Sequence, residues 1–321
     1  MPIKRNLIII LLIIIPLLQN NNNITMASKV LSSEEEEEGV CEVTPASTTK
    51  RTLNDGTSIP VIALGVYQTT PGKEAYNSVR EALRTGYRHI DSAKLYNNEQ
   101  DVGKAVKDSG LNREEIFITT KLWSLDYDGN DPYDFVMQAA EESLKKLDTY
   151  IDLYLIHSPH NKEARLGFWK ALEDLKKEGR IKSIGVSNYG IHHIQEILDE
   201  GLTPPAVNQV EIHPFLRRDE LVEFCKEKNI IIEAYSPLAK AMKMDDKTLV
   251  DISKKYKKSP AQILIRWSLQ KEYITLPKSS NPIRIKENSE VFDFEIKEED
   301  MNLLDTLDEK FCTGWDPTTI K

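Results

Sequence analysis

Residues 135–157 read FVMQAAEESLKKLDTYIDLYLIH and join a helical pattern directly to a strand pattern. In the first part, small and apolar residues recur at helical spacing, so that one face of a helix can carry Val136, Ala139, Ala140, Ser143, Leu144 and Leu147. The run that begins at Ile151 and ends before His157 is continuous rather than alternating. Such a run is typical of a strand in a parallel sheet that helices cover on both faces.

The same unit recurs along the chain. Eight apolar runs of this kind begin near Val61, Tyr87, Ile116, Ile151, Ile181, Ala206, Ile230 and Tyr273. Helical patterns separate them, for example Leu166 to Leu175, where Phe168, Leu172 and Leu175 are compatibly spaced. Eight strand and helix units predict an α/β fold, a closed (β/α)8 TIM barrel. An open dinucleotide-binding sheet is disfavoured, because no Gly-x-Gly-x-x-Gly follows an early strand. Upstream, Asn54-Asp55-Gly56 within Thr52 to Ile59 predicts an N-terminal β-hairpin.

Length and charge limit the class of protein. The chain has 321 residues, which allows about two domains of roughly 150 residues. The strand count favours a single barrel domain that spans residues 50–321 and has a C-terminal extension. The net charge of -9 gives no support for nucleic-acid binding. Cys41, Cys225 and Cys312 are too few and too far apart for a disulfide framework or a metal site, so we expect no bound metal.

The N-terminal region differs from the rest. Residues 1–49 are predicted to be a disordered tail, with an acidic run from Glu34 to Glu38. The apolar segment 7–18 is shorter than the ~20 residues that span a membrane, but it suits a secretory signal or anchor. Translation from Met26 is the other interpretation. We expect a cytoplasmic monomer without a stable membrane span in its folded domain, with secretion through residues 1–27 as the alternative.

Polar side chains follow nearly every predicted strand. In a barrel these positions meet at one end, where the chemistry takes place. They are Gly65, Val66, Tyr67, Asp91, Lys121, His157, Ser187, Asn188, Gln209, Tyr235, Ser236, Lys278 and Ser279.

Asp91, Lys121 and His157 end neighbouring strands, and Tyr96 follows Asp91 by five residues. An ammonium favours the phenolate of a nearby tyrosine, so the phenol can donate a proton, while a carboxylate keeps a buried lysine charged. Taken singly, each residue has another interpretation. Asp91 can be a helix N-cap, Tyr96 a loop aromatic, Lys121 a snorkelling lysine and His157 a core histidine.

At these residues the sequence resembles the aldo-keto reductases. The resemblance covers residues 50–321 and rests on motifs in the family's order: HIDSAKLYNNE (89–99), TKLW (120–123), DLYLIH (152–157), IGVSN (184–188), NQVEIHP (208–214), EAYSPL (233–238) and LPKS (276–279), with Arg284 and Asn288 beyond. It implies reduction of an aldehyde or ketone by NADPH. Tyr96 would then be the general acid, Lys121 would lower its pKa, Asp91 would hold Lys121, and His157 would orient the carbonyl.

The resemblance also implies a cofactor site. It assigns the nicotinamide carboxamide to Ser187, Asn188 and Gln209, ring stacking to Tyr235, and the pyrophosphate to Ser236 and Leu238. Lys278, Ser279 and Arg284 would bind the 2′-phosphate of NADP+ or NADPH, and Glu287 and Asn288 the adenine. Gly65 and Val66 are also assigned to the cofactor-binding residues.

Departures from the family concern the substrate. Gly65-Val66-Tyr67 stands where many members have Gly-Thr-Trp, and Ser158-Pro159 where many have Trp-Pro. With a short connection after His157, these departures suggest an open pocket lined by Tyr67, Trp123 and Trp315, and a broad range of small aldehydes and activated ketones.

Two other functions remain open. One is a Schiff-base aldolase that uses Lys121 as nucleophile, although an adjacent Asp91 opposes the depressed pKa this chemistry needs. The other is a catalytically weak, NADPH-binding regulatory subunit on the same fold.

Overall fold

The fold was analysed in a computed structural model, which describes residues 44–321. The predicted signal segment, the acidic run and most of the predicted tail fall within residues 1–43 and lie outside the described residues. Residues 44–49 were assigned to the disordered tail but form part of the folded structure. A short helix, α1 (Pro45–Thr48), has proline in its first turn, and Ala46 is fully buried. The Ser47 hydroxyl accepts from the Thr44 amide at 3.0 Å, so local capping and packing order this stretch.

The predicted hairpin is confirmed. Strands β1 (Lys50–Thr52) and β2 (Ser58–Pro60) pair antiparallel around a turn in which Gly56 has a φ of 87°, a conformation that glycine adopts without strain. The Asp55 carboxylate in this turn accepts hydrogen bonds from Lys176 at 2.6 Å and Ser183 at 2.8 Å. The hairpin is thereby fixed to the barrel.

Within residues 44–321, eight parallel strands form one sheet in chain order, as the sequence predicts. They are β3 (Leu64–Gly65), β4 (His89–Asp91), β5 (Phe117–Leu122), β6 (Ile151–Ile156), β7 (Ile181–Ser187), β8 (Val207–Glu211), β9 (Ile231–Tyr235) and β10 (Ile274–Leu276). Parallel bridges from Ile62 to Thr275 and from Gly65 to Lys278 join the first strand to the last. These bridges close the sheet into the (β/α)8 barrel.

Helices cover the outside of the barrel. Between and after the strands lie α2 (Lys73–Arg84), α3 (Glu99–Lys107), α4 (Pro132–Leu147), α5 (Arg165–Lys177), α6 (Ile191–Asp199), α7 (Asp219–Glu227), α8 (Lys247–Tyr256), α9 (Pro260–Gln270), α10 (Pro282–Ser289) and α11 (Glu298–Asp305). Short 3-10 helices lie at Lys94–Tyr96, Arg113–Glu115, Ser124–Asp126, Ala239–Ala241 and Pro317–Thr319. The two helices predicted from periodicity, α4 and α5, are present.

The core is divided by the barrel wall. The inner cluster includes Leu153 and Leu155 of β6 and also Leu53 and Ile59 of the hairpin, so the hairpin packs against the interior of the barrel. A larger outer cluster joins the helices to the strands, and the predicted face of α4 is buried there except for the half-buried Leu144. Because the strands are parallel, all their C-terminal ends lie at the opposite end of the barrel from the hairpin.

Candidate active site

A cavity of about 880 Å³ opens among the C-terminal ends of the strands. It brings together most of the residues that the sequence predicts at the site. Those lining it are Gly65, Tyr67, Asp91, Tyr96, Trp123, His157, Ser187, Asn188, Gln209, Tyr235, Ser236, Leu238, Lys278, Ser279, Arg284, Glu287, Asn288 and Trp315. Of the predicted residues, Lys121 and Val66 do not line it.

Lys121 is fully buried beneath the cavity, inside the barrel. Its Nζ donates to both carboxylate oxygens of Asp91, at 2.7 and 2.9 Å, and to the Ser92 carbonyl at 2.7 Å. The same Nζ lies 3.3 Å from the Tyr96 hydroxyl. A buried ammonium is stable only when such hydrogen bonds and a counter-ion replace its lost hydration. The arrangement therefore places a cationic Lys121 beside the phenol of Tyr96. It does not resemble a nucleophilic amine, because its donors are all engaged.

Tyr96 is held by the loop between β4 and α3. The Asn98 side chain spans this loop, since it accepts from Ser92 Oγ at 2.8 Å and donates to the Val66 carbonyl at 3.0 Å. Asn97, next to Tyr96, has a left-handed backbone with a φ of 56°, which asparagine tolerates. These contacts fix the position of the phenol above Lys121.

The pKa of Tyr96 differs from the expectation. Burial, together with the negative charge of Asp91 and the neighbouring Tyr67, raises it well above the usual value of a tyrosine, whereas Lys121 was expected to lower it. The reason is that Asp91 already balances Lys121, so the pair presents little net charge to the phenol while desolvation remains. Tyr96 therefore holds its proton at neutral pH, and the raised pKa makes its phenol a weaker acid than a free tyrosine.

His157 follows β6 and lies against the same tyrosine. Its ring centroid is 5.8 Å from that of Tyr96 and 4.9 Å from that of Trp123, both nearly edge-on. Burial and the charge of Lys121 lower the pKa of His157 well below its usual value. The imidazole is thus neutral and offers a hydrogen-bond donor without adding a charge to the site.

A second group of polar residues joins β7, β8 and β9. The Asn188 amide donates to the His157 carbonyl at 3.0 Å and accepts from the Tyr235 hydroxyl at 2.8 Å. Its backbone is left-handed, with a φ of 61°, and its N–H donates to the Gln209 carbonyl. The Ser187 hydroxyl donates to that same carbonyl at 2.9 Å. Four predicted cofactor residues thus form one connected set.

The other end of the cavity is basic. Lys278 and Arg284 are exposed there, whereas Ser279 and Asn288 beside them are buried. The segment that contains Ser236 and Leu238 also lines the cavity. Several of its residues have left-handed backbones: Ser236, Ala239, Lys240 and Ala241. This tight path lets the main chain approach the cavity closely.

Val66 has a different position from the one expected. Its side chain is fully buried in the outer core. Its backbone still supports the site, because its N–H donates to the Asp91 carbonyl at 3.1 Å and its own carbonyl accepts from Asn98.

Aromatic rings form the mouth of the cavity. Tyr67 lies 5.0 Å from Tyr96 between ring centroids, and Trp315 lies 6.2 Å from Trp123. Trp315 also stacks nearly parallel on His160, with 5.3 Å between centroids. Tyr67 and Trp315 are each close to half exposed, at 45% and 44%. The three predicted substrate residues therefore all line the cavity.

Sequence reasoning missed several lining residues, among them Leu95, Glu211, Lys240, Met244 and Gly314. The two-residue period of a strand offers a signal for Glu211, because it follows Gln209 on the same face of β8. Glu211 accepts from the Thr313 amide at 2.9 Å, which ties the C-terminal segment to the barrel. No pattern in the sequence links Gly314 or Met244 to the cavity.

Among residues 44–321, no cluster of histidine, cysteine and acidic side chains is arranged to hold a metal ion. In the same part of the chain, no helix combines the length and apolarity needed to cross a lipid bilayer. Cys225 and Cys312 are free thiols.

Most of the chain is similar in sequence to known proteins. The model of the "Aldo/keto reductase family" matches residues 61–309. The chain is 44% identical to a glyoxal reductase of Bacillus subtilis over 84% of its own length and 96% of the relative. It is 43% identical to a methylglyoxal reductase of Escherichia coli, with 85% and 98% covered.

A solved structure shows the same fold. The aldo-keto reductase of Bombyx mori, determined in complex with NADP, superposes with a TM-score of 0.75 at 34% identity, and the match covers 83% of this chain and 94% of that one. The family model and the relatives confirm the resemblance read from the motifs. This chain belongs to the aldo/keto reductase family.

Proposed function

We propose that the protein reduces aldehydes and ketones to alcohols by hydride transfer from NADPH, with Tyr96 as the proton donor. The observation that carries the proposal is the 3.3 Å contact between Lys121 Nζ and the Tyr96 hydroxyl at the floor of the cavity. Family membership supports an oxidoreductase acting on carbonyl compounds.

The residues present fit a nicotinamide dinucleotide phosphate. Both N–H groups of the Gln209 amide are taken by carboxylates, so only its carbonyl oxygen remains to accept from a carboxamide. At the far end, a guanidinium, an ammonium and a hydroxyl are the partners that a phosphate dianion prefers: Arg284, Lys278 and Ser279. When bound, the cofactor supplies the hydride.

The acid–base step belongs to this chain's own residues. Tyr96 transfers its hydroxyl proton to the carbonyl oxygen of the substrate as negative charge develops there. Lys121 then stabilises the phenolate that remains, and Asp91 keeps Lys121 charged. His157, neutral in this setting, donates a hydrogen bond that orients the carbonyl. Positioned proton transfer of this kind contributes about 10² to 10⁴ in rate.

We propose small aldehydes, including 2-oxoaldehydes, as the substrate class. The mouth is open and aromatic, since Tyr67 and Trp315 are each almost half exposed. The names of two relatives, a glyoxal reductase and a methylglyoxal reductase, support the same class.

The test is an assay of the purified protein for NADPH oxidation with glyoxal, methylglyoxal, benzaldehyde and a simple ketone, beside a Tyr96→Phe variant. Turnover by the wild type that the variant loses is the expected result. Binding of NADPH without turnover of any of these compounds overturns the proposal in favour of a regulatory subunit. Borohydride trapping of a substrate on Lys121 overturns it in favour of an aldolase.

We also propose that the protein is a monomer in the cytoplasm. The unpaired thiols of Cys225 and Cys312 and the use of NADPH both suit a reducing compartment. Sedimentation of the purified protein and N-terminal peptide mapping of the native protein test these points. A native N-terminus just after residue 27 would indicate the secretory route.

A further inference from the structure

An acidic side chain lies inside the barrel beneath the cavity. Glu233 is fully buried on β9, two residues before Tyr235, so both point to the interior and Glu233 lies one layer deeper. In register with it lie Gln209 on β8 and Ile274 on β10. The chemistry proposed so far makes no use of this carboxyl group.

Glu233 is connected to the proton donor through a single amide. Gln209 Nε2 donates one hydrogen bond to Glu233 Oε2 and another to Asp91 Oδ2, each at 2.8 Å. Asp91 in turn holds Lys121, and Lys121 contacts Tyr96. The Gln209 amide therefore joins the carboxyl groups of Asp91 and Glu233. Of these two groups, Asp91 forms an ion pair with Lys121.

The groups facing Glu233 do not neutralise it. They are Asp91 and His89 on β4 and Lys121 on β5. Burial lowers the pKa of His89 to about 3, so this ring is neutral, and its Nε2 lies 3.9 Å from Glu233 Oε1. The positive charge of Lys121 is already balanced by Asp91.

The carboxyl group is therefore neutral over much of the physiological range. Burial and the negative charge of Asp91 raise the pKa of Glu233 to about 8. Its Oε1 atom is buried and has no hydrogen-bond partner in the described part of the chain. A second ionised carboxylate here would leave the interior of the barrel with an unbalanced negative charge.

We propose that Glu233 is a positioning residue for the proton transfer, which it favours when neutral and opposes when ionised. When neutral, it leaves the Asp91–Lys121 pair balanced, and Lys121 can stabilise the phenolate that forms at Tyr96. Ionisation adds a negative charge to the network and makes that phenolate harder to form. This inference rests on the proposed function, in which Tyr96 donates the proton.

Glu233→Gln separates this role from a merely structural one. Glutamine keeps an oxygen that accepts from Gln209 but cannot ionise. Glu99→Gln is the matched control, because Glu99 is also buried and accepts from Thr120 at 2.7 Å, but it has no contact with Asp91. Both variants preserve side-chain volume.

The first measurement is kcat for NADPH-dependent reduction of methylglyoxal from about pH 6 to about pH 10. In the wild type and in Glu99→Gln we expect kcat to fall roughly threefold to tenfold as the pH rises through about 8, the order expected for one added charge in a protein interior. Glu233→Gln is expected to equal the wild type near neutral pH and to keep its rate through this range. Parallel profiles of the wild type and Glu233→Gln overturn the inference.

The second measurement needs no turnover. An infrared difference spectrum of the cofactor-free protein between neutral and alkaline pH is expected to show the loss of a protonated carboxyl band. The band should be present in the wild type and in Glu99→Gln, and absent from Glu233→Gln. Its absence from the wild type overturns the inference even if Glu233→Gln fails to fold. A wild type that shows the band but never oxidises NADPH overturns the proposed function, and the catalytic role of Glu233 with it.

Discussion

Lys121 Nζ lies 2.7 Å from Asp91 Oδ1, and both side chains are buried inside the barrel. Asp91→Asn leaves a buried ammonium without its counter-ion, so we expect a loss of about 3 to 5 kcal/mol in the free energy of unfolding. Asp91→Asn combined with Lys121→Met removes both charges and should regain much of that stability without regaining activity.

Denaturant unfolding together with the reductase assay checks this prediction. Lys107→Met is the control, because Lys107 and its partner Asp148, 3.0 Å away, are both exposed, so its loss should cost less than about 1 kcal/mol. A double variant no more stable than Asp91→Asn alone would contradict the ion-pair argument.

Removal of one hydroxyl tests the proton donor. Tyr96→Phe keeps the ring contacts with Tyr67 and His157 but has no proton to transfer. We expect kcat to fall by about 10² to 10⁴, with the dissociation constant of NADPH unchanged. Tyr76→Phe, which removes an exposed hydroxyl bonded to Asp108 at 2.9 Å, should keep full activity. Equal turnover by the two variants would assign the proton to another group.

The basic end of the cavity governs the choice of cofactor in this proposal. Arg284→Ala should raise the dissociation constant of NADPH about 10- to 100-fold, the range for a lost charge-assisted hydrogen bond, and leave that of NADH nearly unchanged. Lys286, also exposed on α10, does not line the cavity, so Lys286→Ala serves as the control. Fluorescence titration with both cofactors measures the difference. An equal change for NADPH and NADH argues against a phosphate site.

The aromatic mouth should discriminate between substrates by size. Trp315→Ala removes the ring that stacks on His160 and faces Trp123. We expect KM for benzaldehyde to rise about tenfold, while KM for methylglyoxal changes little because it has no ring to contact. Leu303→Ala, at an exposed position on α11, is the comparison. An equal change in KM for the two substrates would show that the ring of benzaldehyde does not bind against Trp315.

Acid should destabilise the start of α6, where protonation of His193 would break the hydrogen bond that its Nδ1 accepts from Gly190. His193 Nδ1 accepts from the Gly190 amide at 2.9 Å, so its Nε2 carries the hydrogen that it donates to the Ile320 carbonyl at 2.8 Å. Burial and the neighbouring His192 and Arg165 lower the pKa of His193 to about 4, below its unfolded value of 6.5. The neutral ring therefore contributes stability that is present above about pH 6.5 and lost as the pH falls towards 4.

We expect a loss of about 1 to 2 kcal/mol over this interval, less than the full pKa difference implies because water screens part of the site. His193→Gln should show a smaller pH dependence of unfolding. Identical pH dependence in both proteins would exclude His193 as its source.

The sequence predicts those site residues whose position depends only on where a strand ends. Asp91, Lys121 and His157 end strands, and a parallel barrel places every strand end together, so recognising the strands was sufficient to group these residues. The pKa of Tyr96 was not predictable in this way, because it depends on desolvation by rings from separate loops. Val66 was misplaced for a related reason: it follows a strand, but its side chain turns outward into the core.

Other features lay beyond the sequence motifs. The two-residue period of β9 predicts that Glu233 points into the barrel, as Tyr235 does. Its link to Asp91 depends on the rotamer of Gln209, which the sequence does not show. Residues 44–49 read as a polar tail, yet they form a short helix in which Ala46 is fully buried.

The β1–β2 hairpin packs its apolar residues into the barrel end opposite the active site. A molecule bound beneath the aromatic mouth therefore has no exit through the hairpin end. Substrate and product would then pass the rings of Tyr67 and Trp315, so a bulky ligand at the mouth should slow the exchange of substrate. An inhibitor of this protein can therefore act by blocking access to the cavity as well as by binding tightly within it.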